Sequence, residues 1–116
     1  MDPQKIIDRL SSLNRELSQK NGELQALAVD MNEKEREYRV MYAAEVLRKK
    51  DEGLPATLIK DIVNGVSNVA GAKFNYQVAV EVYHIARERI KDIRTGIDTL
   101  RSFLTWLRME MGNASV

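Results

Sequence analysis

Four arginines recur at seven-residue intervals toward the C-terminus, Arg87, Arg94, Arg101 and Arg108, and four carboxylates recur at the same interval nearer the start, Glu16, Glu23, Asp30 and Glu37. A guanidinium is permanently charged and presents a planar fork of donors, so a repeated arginine suits carboxylates or phosphates. The chemistry these residues point to is charge pairing, with protein or with a nucleic-acid backbone. Catalysis has no comparable signal. His84 is the only histidine, which on its own makes neither a triad nor a metal site. There is no glycine-rich phosphate loop, no HExxH and no nucleophile with a base at a telling spacing. Glu33 with Glu37 and Glu88 with Asp92 sit one helical turn apart. A metal site in a helical bundle needs such carboxylates on inward positions together with a Glu-x-x-His motif, and that motif is absent. The reading is non-enzymatic, with no catalytic residues, no metal ligands and no cofactor.

A seven-residue interval becomes a stripe only on a long helix, and the sequence supplies two. From Val69 to Met111, steps of three and four give Val69, Ala72, Tyr76, Ala79, Tyr83, Ala86, Ile90, Ile93, Ile97, Leu100, Leu104, Leu107 and Met111 without a polar interruption. A 3.5-residue repeat of that length writes a coiled-coil seam. A second seam runs through Ile6, Leu10, Leu13, Leu17, Lys20, Leu24, Leu27, Met31, Lys34, Tyr38 and Met41. Its two lysines either lay their stems along the seam or limit the partners it accepts. Beyond Met41 the stripe widens to Val40, Ala43, Ala44 and Leu47, as on a helix covered by more than one neighbour.

Punctuation sets the boundaries. Asp2-Pro3 is a helix start, with a capping carboxylate and a proline in the first turn. Arg48-Lys49-Lys50 followed by Gly53 is a helix end. Pro55 and Asn64-Gly65 bracket a short helix whose apolar residues Leu58, Ile59, Ile62 and Val63 share one face; it offers too few polar contacts for a DNA-reading helix-turn-helix. Ser67 or Asn68 caps the last helix. The expected fold is all-α: a long antiparallel coiled-coil hairpin over a single helical domain, residues 1–116, with helices over 3–52 and 68–111, a corner helix over 55–64 and a tail over 112–116. If the hairpin folds about residue 60, Gly22 and Gly96 fall at one height and make a bend or loose point.

Composition agrees and narrows the partners. Of 116 residues, 44% are apolar and 30% charged, and the net charge is +1, so no bulk attraction to nucleic acid or membrane is implied. There is no cysteine, no run of 18 apolar residues, and the N-terminal residues do not resemble a signal peptide. The expected location is the cytoplasm, away from any membrane.

In heptad terms the arginines occupy e positions of the last helix and the acids g positions of the first. Antiparallel helices match e with e and g with g, so within one hairpin the arginines face Asn14, Asn21 and Ala28. The stripes meet if the first helix of one copy lies parallel to the last helix of another, in a homodimeric four-helix bundle. Phe74, Val78, Val82, Ile85, Phe103 and Trp106, which one seam cannot all bury, favour such a dimer. Two other readings stand beside it: a solvated face, with Arg94 and Arg101 flanking Asp98, and a groove for single-stranded nucleic acid with Phe103 or Trp106 stacking a base.

The corner GLPATLIKDIVNG, the stretch NYQVAVEVYHIARERI and the ending IDTLRSFLTWLRMEM resemble small helical proteins from early-gene or recombination regions of phages and prophages of Gram-positive bacteria. That group has no agreed activity, so the resemblance implies a setting only: a phage gene expressed in the cytoplasm of a bacterial host, beside DNA-processing and counter-defence genes. The expected function is a non-enzymatic interaction protein that binds and modulates, chiefly by inhibition, a bacterial nucleic-acid-processing or defence protein through Arg87, Arg94, Arg101, Arg108, Phe103 and Trp106. The alternatives are an accessory single-stranded nucleic-acid-binding protein for phage recombination and a structural coiled-coil spacer.

Overall fold

A computed structural model describes residues 2–114 and is all-helical there, with α1 over Pro3–Asp51, α2 over Ala56–Asn64 and α3 over Ser67–Ala114. The α1 start uses its capping residue: Asp2 Oδ1 accepts the Gln4 N–H at 3.0 Å, and Pro3 occupies the first helical position where its missing N–H is not needed. Its end is a Schellman turn. The Gly53 N–H donates to the Lys50 carbonyl at 3.0 Å and the Leu54 N–H to the Lys49 carbonyl at 3.2 Å, with Gly53 at φ +80°, a conformation that penalises a Cβ. Pro55 precedes α2 in an extended conformation (φ −60°, ψ 137°). At the start of α3 neither expected side chain caps in the usual way, since Asn68 Oδ1 accepts from the adjacent Val69 N–H and the Val66 carbonyl takes the first helical bond, from Ala70. Helix α3 runs past Met111 through Gly112 and Asn113 to Ala114, residues expected in the tail; Ser115 and Val116 lie outside the described residues.

The packing falls into two compact units, Met1–Leu24 with Ile85–Val116, and Gln25–His84. Each has its own apolar cluster. In the first unit Leu13, Ile93 and Ile97 are buried together, with Leu10, Leu17 and Leu100 packed against them. Leu13 sits across from Gly96, whose ideal Cβ position is 3.7 Å from Leu13 Cδ1, and Glu16 reaches Arg89. Moving forward on α1 thus moves backward on α3, the antiparallel sense. Gly22 is not level with Gly96: the register is set where Leu13 enters the space beside that glycine, and a Cβ at Gly22 would meet nothing within 4 Å.

In the second unit Ile59 and Val63 of α2 close over Val69 of α3, with Tyr38, Tyr42 and Val46 of α1 and Leu54 and Val66 of the connections against them. Tyr38 stacks on Tyr76, ring centroids 6.3 Å apart at 18°. The small seam residues Ala72 and Ala79 are buried, consistent with close helix approach. The expected widening of the α1 stripe is overturned here. Val40 and Leu47 are each 63% exposed, Ala43 and Ala44 are exposed, and Glu45 is buried instead at 3%. An α-helix turning 3.6 residues drifts by about 20° per heptad against a 3.5-residue repeat. Along α1 the inward position therefore passes from Met41 to Tyr42, then to Glu45 and Val46, and Val40, Ala43 and Leu47 turn outward. At the other seam's end Met111 is likewise exposed rather than buried.

The two glycines predict opposite substitutions. Gly53→Ala places a Cβ in the left-handed region and lowers unfolding free energy by about 1–2 kcal/mol. Gly22→Ala, in open space within a regular helix, raises it by about 1 kcal/mol. Thermal melts followed by circular dichroism check the signs.

Candidate functional site

The arginine repeat and both candidate aromatics belong to the first unit. Because α3 is unbroken from Ser67 to Ala114, the seven-residue interval becomes a ladder with a rung about every 10.5 Å. Arg87, Arg94, Arg101 and Arg108 are all exposed. Among the described residues no ion pair joins Arg94, Arg101 or Arg108 to a carboxylate, and Asp98 does not close on either arginine beside it. Three guanidinium groups thus project into solvent with their pairing capacity unspent.

The acidic repeat is different, because most of it is engaged within the chain. Glu16 Oε1 accepts from Arg89 Nη2 at 2.7 Å, the ion pair between α1 and α3 in this unit. Glu23 pairs with Lys20 at 3.2 Å. In the second unit Asp30 lies 3.9 Å from Lys34, while Glu37 is exposed. Lys20 and Lys34 are the two flaws of the first seam, and both side chains are about one-third exposed. Their stems lie along the seam and their ammonium groups reach the neighbouring acids, as amphipathic side chains do. The acids thus neutralise the lysines that interrupt the apolar seam, which competes with pairing across copies.

Arg89 was not among the candidate residues, although the signal was present. It occupies a g position of α3, and g meets g in an antiparallel pair, so it is the natural partner of Glu16. Beside it the g flank opens into a groove of about 710 Å³ lined by Lys5, Arg9, Leu13, Arg89, Asp92 and Gly96 among others. The missing side chain at Gly96 contributes to its depth.

Phe103 and Trp106 form a stacked pair, ring centroids 5.8 Å apart at 19°, and remain 37% and 53% exposed. At about 100° per residue, Phe103 lies about 200° and Trp106 about 140° around α3 from Arg101. The arginines and the aromatics are therefore two surfaces on nearly opposite sides of one helix. A single strand whose phosphates follow the arginines does not bring its bases onto these rings from the same side. His84 is exposed, in edge contact with Tyr83 at 5.7 Å. Among the described residues no cluster of three or more His, Cys, Asp or Glu side chains is arranged to hold a metal, and no helix is long and apolar enough to cross a membrane.

This geometry separates residues that stabilise the unit from residues available to a partner. Ile97→Ala, at a position 4% exposed, lowers unfolding free energy by about 2–5 kcal/mol. Arg89→Ala removes a partly exposed ion pair and costs under about 1 kcal/mol. Arg94→Ala combined with Arg101→Ala changes stability by less than about 0.5 kcal/mol per site, there being no ion pair among the described residues to lose. Urea titration ranks the three.

Comparison with family models, with characterised proteins and with solved structures returns no match. What the chain does is read from its own surface.

Proposed function

We propose that this chain is a non-enzymatic phage interaction protein that acts as a homodimer in the bacterial cytoplasm, binding and inhibiting a nucleic-acid-processing or defence protein of the host. The observation that carries the binding role is the ladder of Arg94, Arg101 and Arg108, exposed on one helix and joined to no carboxylate among the described residues. Unpartnered guanidinium groups at heptad spacing match a surface that presents carboxylates at the same interval, such as the acidic flank of a partner helix. The phage setting rests on the resemblance of the corner and last-helix segments.

Inhibition in this scheme is by occupancy. A helix that offers charge on one side and the Phe103–Trp106 pair on another covers a functional surface of its target without altering any bond. Aromatic residues and arginine are also the side chains that dominate protein–protein binding energies. The four-helix bundle remains the architecture proposed for the dimer. Its charge pairing is weakened as a driving force, because Glu16, Glu23 and Asp30 are engaged in their own chain.

The test compares wild type with the Arg94→Ala, Arg101→Ala, Arg108→Ala triple variant in affinity capture from a Gram-positive bacterial lysate treated with nuclease, and in binding to a single-stranded oligonucleotide at low and high salt. The expected result is a host protein retained by wild type and lost from the folded triple variant, with no salt-dependent oligonucleotide binding. Oligonucleotide binding that weakens steeply with salt and is lost in the variant would instead make the ladder a phosphate track. No differential capture and no oligonucleotide binding would leave a structural spacer.

A further inference from the structure

The second unit carries a surface that neither the seam nor the arginine ladder uses. Between Ser67 and His84 only Lys73 and Glu81 carry full charges. At about 100° per residue, Val69, Ala72, Tyr76 and Ala79 lie on the side of α3 that meets α1, Gly71, Phe74 and Val78 lie on the far side, and Val82 continues their row toward the flank that carries Arg89. Phe74 is 64% exposed, Val78 43% and Val82 42%. Lys73, Gln77 and His84 make another side of this helix polar, whereas three large apolar side chains in one exposed row form a patch rather than a scatter.

We propose that this stripe pairs with the same stripe of a second copy, antiparallel about a two-fold axis at Val78. It rests on the homodimer of the preceding reading and specifies the face that makes it. A two-fold contact must be complementary to itself, which here is a question of size and charge. In this register Val78 meets its own counterpart, and Phe74 meets Val82 of the other copy at each end, so every large ring faces a smaller branched side chain. Gly71 continues the stripe with no atom within 4 Å of its Cβ position, leaving room for the approaching helix. Lys73 lies off the stripe and Glu81 at its margin, so self-pairing sets no like charges face to face.

Two other exposed rows are less suited to self-pairing. Doubling the arginine ladder about a two-fold axis brings guanidinium groups against guanidinium groups. The outward row of α1 in the second unit, Val40 with Ala43, shares a groove with Arg36 and with the Arg39–Glu35 ion pair, so its self-pairing brings charged side chains into the contact. The Phe74–Val82 row of α3 is a surface on which two identical copies meet without like charges opposed, and its use leaves Arg94 and Arg101 free for a different partner.

The experiment is the solution mass of the full chain by size exclusion with light scattering, joined to thiol cross-linking. Wild type is expected at twice the 13.3 kDa chain mass. Val78→Asp is expected at the chain mass with its helical circular dichroism retained, while Val40→Asp with Leu47→Asp and the triple arginine variant remain dimeric. The chain has no cysteine, so Val78→Cys supplies a lone thiol that a short bismaleimide links to its counterpart. Phe74→Cys, displaced from the axis, links poorly. This second readout stands if Val78→Asp fails to fold. A wild-type mass of one chain overturns the proposal, as does a dimer lost in the Val40, Leu47 variant, or one in which Phe74→Cys links as well as Val78→Cys. A single-chain protein that still captures its partner through the arginines would overturn the dimer and leave the binding role of the arginines standing.

Discussion

Two helices packed side by side bury one stripe of each, and the remaining features of this chain follow from that limit. The first unit satisfies it with branched aliphatic side chains, Leu13 between Ile93 and Ile97, and leaves Ile85, Phe103, Trp106 and Met109 exposed. The second unit satisfies it with tyrosine and alanine and then adds α2, whose Ile59 and Val63 cover Val69. Even with that addition, apolar residues on α1 and α3 outnumber the positions that face inward. Surplus apolar surface is a recurring sign of a partner interface.

The buried Glu45 shows how the same limit sorts residues in detail. Its carboxylate is almost wholly enclosed, yet it is compensated by Arg48, one turn on, at 2.9 Å. A buried charge is tolerable when its counter-charge is close, and here the guanidinium remains largely in solvent. Inward burial of a glutamate beside outward exposure of Val40 and Leu47 inverts the usual arrangement. It follows from helical drift along a long seam, because the inward direction at the end of α1 differs by nearly one residue position from the one a strict heptad assigns.

Charge is divided as unevenly as apolar surface. The acids at g positions of α1 are used locally, Glu16 to hold α3 and Glu23 and Asp30 to neutralise lysines in the seam. Arg94, Arg101 and Arg108 have no such duty. A residue already paired in its own chain must give up that contact before engaging another molecule, whereas an unpaired exposed arginine loses only solvent and side-chain freedom. That asymmetry distinguishes the arginine repeat from most of the acidic one.

Much of the architecture was legible in the residues. Asp2-Pro3 and Gly53 mark helix ends because capping and positive φ have strong residue preferences, and the Val69–Leu107 heptad identifies one face of α3 because apolar burial is periodic. The arginine spacing likewise made the ladder readable, since it depends on one helix alone. What only the tertiary structure decided were relations between helices: that Leu13 rather than Gly22 stands opposite Gly96, that Glu16 belongs to Arg89, that Glu45 turns inward, and that contacts gather into two units. Each depends on axial register and accumulated rotation, which differ by small energies among many similar packings of repeating apolar side chains. A periodic sequence specifies the seam strongly and its register weakly, so the register had to come from the packed helices themselves.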